Sequence, residues 1–182
     1  RPGGAPPPDG GGGLRRAETR HTARMTHSPE PGPPLTDEVQ RDLAVALFNE
    51  TWALIELPQR TAEQDRRMLI TACAAALHWD AVGTDENKVI SDWQVAHVAS
   101  LLGYGRLAVA HATAASDRAG KAGAPAWLRA SVLEGLARAH AAAGHKAERD
   151  DYMRRALAAL DSIDDPGDRD LIASQIAAVP VL

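Results

Sequence analysis

From Thr36 onward, apolar positions recur at helical spacing, and each run is bounded by residues that start or stop helices. Thr36 is placed to cap a first helix through Leu43, Leu47, Phe48 and Leu54 to about Leu57, where Pro58 interrupts. Thr61-Ala62-Glu63-Gln64 has the form of a capping box and predicts a second helix to about Asp80, stopped at Gly83. Thr84, Asp85 and Glu86 open a third that ends near Gly103, the acids suiting the positive end of the helix dipole. A fourth covers about 105–121. Pro125, read as a first-turn proline, opens a fifth that Gly144 closes. A sixth covers about 146–162, and Pro166 begins a short seventh that Pro180 ends. The fold class is therefore all-α, built of antiparallel helical hairpins over residues 36–182.

The pattern is absent from residues 1–35, which hold eight of the twelve prolines and seven of the fifteen glycines. A segment with so little to bury cannot offset its ordering entropy, so it reads as a disordered arm. Met25 opens a short polar leader before the first helix, and one expectation is that it is the natural start. Arg15-Arg16 is not followed by an apolar segment, which argues against a twin-arginine export signal.

The punctuation repeats. Gly103 to Pro125 spans 22 residues, as does Gly144 to Pro166, so a helix–Gly–helix–Pro unit recurs after 41 residues. In this register Val95 matches Leu136, Ala96 matches Ala137 and Ala115 matches Ala156, while Arg149 stands where the first copy has Ala108. Leu101-Leu102-Gly103 followed by Ala108 and Ala115 resembles the tetratricopeptide-repeat family in its small-residue spacing. The period is longer than that family's and the prolines fall about five residues late. The resemblance, over roughly residues 86–166, implies a right-handed solenoid of paired helices and a groove that takes a protein or peptide.

Composition narrows the chemistry. One Phe, two Tyr and four Trp leave the core to Ala, Leu, Val and Ile. Alanine is the best helix former and its small side chain lets axes approach closely. Cys73, the sole cysteine, reads as a small buried hydrophobe within Thr71-Ala72-Cys73-Ala74. The net charge of −4 conceals a +3 segment over residues 1–24 and −7 over the remainder. An acidic folded part weighs against nucleic-acid binding. No run approaches the roughly 20 apolar residues that cross a bilayer, so a cytoplasmic protein with no membrane partner is the expectation.

Enzyme signatures are missing: there is no phosphate loop, His-Glu-x-x-His, Gly-x-Ser-x-Gly or Cys/His cluster, and no cofactor is implied. Large polar and aromatic side chains concentrate instead at Trp52, His78, Trp79, Asn87, Trp93 and His97. Trp93 and His97 share a helical face, and the turn at Gly83 brings His78 and Trp79 toward them. Such a set can line a cleft, with indoles supplying apolar area and His and Asn orientation; the favoured reading is that the tryptophans are large core pieces compensating for so many alanines. Glu134 takes the place of Trp93 in the 41-residue register, and Arg138 one turn on is its natural ion-pair partner. His97, His111, His140 and His145 lack a metal-ligand spacing. The run from Glu148 to Arg155 reads as a solvated face.

The leading expectation is a non-catalytic module that offers a groove lined by Trp93, His97 and Glu134 to a protein or peptide, with self-association covering its terminal helices. The alternative is a small-molecule binding protein or enzyme that uses the Trp/His/Asn cleft.

Overall fold

Threonine caps three successive helices of the computed structural model, which describes residues 34–182; all but Pro34 and Leu35 of the arm expected over residues 1–35, and the Met25 start, lie outside them. Thr36 accepts from the Val39 amide at the head of α1 (Asp37–Ile55). Thr61 and Gln64 form a reciprocal capping box before α2 (Ala62–Val82). A second box precedes α3 (Asp85–Leu101), closed between Thr84 and Asn87. Each box satisfies backbone donors that a helix start otherwise leaves unpaired. There follow α4 (Gly105–Ala122), α5 (Ala126–Ala142), α6 (Lys146–Ala159) with a 3-10 turn at Leu160–Ser162, and α7 (Pro166–Ala177). Seven α-helices and no strand make the described residues all-α. Pro166 opens α7 behind the Asp165 cap, whereas Pro125 is itself the cap of α5 rather than its first residue.

The turns after α3 and α5 are built alike. Gly103 and Gly144 both lie at φ 74°, the left-handed region that costs glycine least. Tyr104 N–H bonds the Ala99 carbonyl at 2.8 Å, and His145 N–H bonds that of His140 at 2.9 Å. These are Schellman closures, which turn the chain back within three residues. Helices so closely joined run antiparallel, and α1 packs with α2, α3 with α4, and α5 with α6.

Helices α3 and α5 occupy the middle. Helix α3 packs on α2, α4 and α5; α5 packs on α3, α4, α6 and α7. Every residue from Ser91 to Ala99 is buried, as are all but Leu133 from Ala130 to Ala139. The cores between them are alanine-rich, with Ala96, Ala99, Ala108, Ala112 and Ala115 around Leu128 and Leu136. Alanine faces bring the axes together, and the few bulky groups fill what remains.

Two expectations are corrected. Cys73 is exposed, because the buried face of α2 runs through Met68, Thr71, Ala72 and Ala75 and sets residue 73 on the opposite side. Arg149 is buried at 7% exposure, because α6 turns Arg149, Tyr152, Met153 and Ala156 toward α5. Its Nη1 lies 3.0 Å from Asp150, while Nε and Nη2 have no hydrogen-bond partner among the described residues.

Candidate functional site

The residues singled out by sequence fall into two groups. His78, Trp79 and Asn87 gather at the α2–α3 corner and serve local structure. Asn87 closes the capping box, and the His78 ring nitrogen Nδ1 meets the Gln40 side chain of α1. Trp79 and Asn87 flank Gly83, where a Cβ would lie 2.6 Å from the Trp79 carbonyl oxygen and 3.0 Å from the Asn87 Cβ. That close approach excludes any larger residue at the corner.

Trp93, His97 and Glu134 converge with Trp52 and Arg138 in a buried nucleus between α1, α3 and α5. The indole of Trp93 lies 5.9 Å from that of Trp52 and 5.2 Å from the His97 ring, centroid to centroid. Gly135 makes this possible: a Cβ there would stand 2.7 Å from Trp93 Cδ1. Gln94 of α3 donates to the Phe48 carbonyl of α1 at 3.2 Å, tying the outer hairpin to the centre. Glu134 is fully buried, and Arg138 Nε donates to its Oε1 at 2.7 Å. The same guanidinium donates through Nη2 to the Gln175 carbonyl at 2.9 Å, which anchors α7.

With Trp93 at 7%, His97 at 8% and Glu134 at 0% exposure, these side chains fill the interior rather than line a groove. Four polar atoms in the nucleus have no hydrogen-bond partner among the described residues: Trp93 Nε1, Gln94 Oε1, His97 Nδ1 and Glu134 Oε2. The Trp93 N–H is near enough to favour the charged carboxylate of Glu134 but lies outside hydrogen-bond geometry. Burial raises the Glu134 carboxyl above its ordinary value, and the Arg138 charge pulls it back.

His97 is held neutral. Burial, and then the charge of Arg138, lower its pKa from 6.5 to about 3. Between those values the unfolded chain binds a proton that the folded chain refuses, so stability is complete above pH 6.5 and falls as pH drops. The slope approaches about 1.4 kcal/mol per pH unit. Glu134 acts in the opposite sense, since its raised pKa favours the fold most at and below 4.5 and less as pH rises. His97→Phe is expected to flatten the acid limb between pH 6.5 and 4.5, read by denaturant titration at stepped pH. An unchanged slope would show that His97 protonates within the fold.

A second charged network was not legible from spacing. Asp92 of α3, itself 8% exposed, takes His111 Nδ1 at 2.9 Å and Arg118 Nε at 2.8 Å, and Arg118 also reaches Asp80 of α2 at 3.0 Å. It joins three helices through residues up to 38 apart in sequence, beyond the reach of helical periodicity. His140 and His145 meet across the Gly144 turn with Nδ1 atoms 3.2 Å apart, away from His97. Among the described residues, no three or more His, Cys, Asp or Glu side chains are grouped to hold a metal ion. None of the described helices is long and apolar enough to cross a membrane.

Two open concavities adjoin the α3–α4 turn. One of about 610 Å³ is lined by Leu69 and Ile70 of α2 with Leu101, Leu102 and Tyr104 of the α3–α4 turn, and Asp65 and Arg66 stand on its rim. A neighbour of about 580 Å³ shares Tyr104 and adds Arg106, Leu107 and Ala110. Sequence reasoning missed Leu101 and Tyr104, whose only signal is that they flank a turn glycine while being too large and apolar for an ordinary loop. No protein-family model and no curated protein matches the chain.

Proposed function

We propose that this chain is a non-catalytic, peptide-binding module of stacked helical hairpins, similar in plan to tetratricopeptide repeats. The observation that carries the reading is the exposure of Ile70 (49%), Leu101 (41%) and Tyr104 (53%) around one open groove at the seam of the first two hairpins. Isolated exposed apolar residues are ordinary, but several around one concavity mark a binding surface. The matching Gly103 and Gly144 turns, 41 residues apart, support the repeat. A suitable ligand is a short segment with one apolar anchor beside Tyr104 and a charged residue for Asp65 or Arg66. The small-molecule alternative rests on the four unpartnered polar atoms of the nucleus.

Selection of a displayed random-peptide library on the full chain should enrich sequences with an apolar anchor. Tyr104→Ala should weaken a selected peptide by about 30-fold, the loss typical of a central aromatic anchor. Its melting temperature should not change, because Tyr104 is half exposed. Selected peptides that bind Tyr104→Ala as tightly as the parent would refute the groove.

A further inference from the structure

The outward face of α2 is charged at its ends and apolar in its middle. Ile70, at 49% exposure, and Leu77, at 69%, stand seven residues apart on one line, with exposed Cys73 between them. The solvent face of a helix is ordinarily polar along its length. Here its central turns carry no charge. Beside that line Arg66, Cys73 and Asp80 also fall seven apart, along one flank.

We infer that α2 is the contact face of a two-fold homodimer, in which the α2 helices of two copies of this chain pack antiparallel and cross near Cys73. A two-fold contact needs a surface complementary to itself, and this order of residues supplies one. In an antiparallel pair, each flank meets the same flank of the other copy in reverse. Arg66 lies seven residues before Cys73 and Asp80 seven after it, so Arg66 of one copy meets Asp80 of the other at both ends. Ile70 of one copy meets Leu77 of the other, and the two Cys73 side chains come together at the axis. In a parallel pair Arg66 of one copy and Asp80 of the other stand at different heights and do not meet. The small Cys73 at the crossing lets the axes approach to the short end of the 8–10 Å range for packed helices.

Both charges reach the surface: the Arg66 and Asp80 side chains are 67% and 52% exposed. Each also has an intrachain partner, Glu63 at 3.4 Å and Arg118 at 3.0 Å, with which the pair between copies would be shared. The face shares Arg66 and Ile70 with the peptide groove, while Cys73, Leu77 and Asp80 lie outside it.

Sedimentation velocity of the full chain across micromolar to submillimolar concentrations tests the dimer, and a short bismaleimide tests its register through Cys73. The expected result is a monomer–dimer equilibrium in which the bismaleimide joins two chains efficiently. Leu77→Asp should weaken association at least tenfold and abolish the crosslink while keeping the helical circular-dichroism signal, since Leu77 makes little of the core. Ile70→Asp should do the same, and Tyr104→Ala should leave the dimer intact even if peptide binding is lost. A monomer throughout the range would overturn the inference. So would a dimer unaffected by Leu77→Asp, or one that Cys73 does not crosslink.

Discussion

Trp93→Ala is expected to lower the unfolding free energy by about 3–5 kcal/mol, the upper range for emptying a core position. The size follows from what surrounds the indole. It is 7% exposed and packs against Trp52 and His97 on one side, while the other side rests on Gly135, which has no side chain to move inward. Nearby core positions such as Ala96 and Ala139 are alanines, too short to collapse into the space. The cavity therefore persists, and its cost with it. A companion variant isolates this packing. Gly135→Ala alone should destabilise, because its methyl would stand 2.7 Å from the ring. In the Trp93→Ala background the same methyl meets no indole and partly fills the void, so the double variant should be more stable than the two single losses predict. Guanidinium titrations of the four proteins measure the coupling. A Trp93→Ala cost below about 1 kcal/mol is the surface range and would show that the indole is not core.

That nucleus was legible in sequence as a cluster, and its tryptophans as core pieces, but its polar members were not legible as interior. Helix ends were readable because caps are local: Thr36, Thr61 and Thr84 each bond an amide three residues on, and Gly103 and Gly144 each turn the chain by their own φ. The interior of α3 was not. Ser91, Asp92, Gln94 and His97 are polar, yet all are buried, because α3 is covered from several sides and has no single apolar stripe. A helix enclosed in this way shows weak amphipathicity, and its polar groups are placed by partners on other helices that periodicity cannot reach. Asp92 with His111 and Arg118, and Gln94 with Phe48, are such cases.

Arg149 and Cys73 failed in opposite ways. The charge run hid Arg149, although the 41-residue register sets it opposite Ala108, which is fully buried. Position 149 takes part in the α5–α6 packing as Ala108 does in the α3–α4 packing. Cys73 was read from its apolar neighbours in sequence. The 3.6-residue repeat turns it away from Ala72 and Ala75 and beside the line of Ile70 and Leu77.

Arg138→Leu is expected to cost about 3–5 kcal/mol at neutral pH, because it leaves a buried carboxylate without its counter-charge. Glu134 has no exposure to water, and the guanidinium is its only hydrogen-bond donor among the described residues. Without it, desolvation acts on Glu134 unopposed and raises the carboxyl further. The folded variant then holds a proton that the unfolded chain releases above 4.5, so its deficit grows as pH rises from there and is smallest in acid. Glu134→Leu in the Arg138→Leu background removes the stranded charge and should recover most of the loss, since an apolar pair of similar volume suits a buried site. The second duty of Arg138 separates charge from anchoring. Its bond to the Gln175 carbonyl is lost in both variants, so amide hydrogens of α7 should exchange faster in the double variant even where global stability returns. Denaturant titrations at stepped pH, with hydrogen exchange on α7, read both effects. A loss that is the same at every pH, or a double variant no better than the single, would mean that Glu134 reaches water despite its burial.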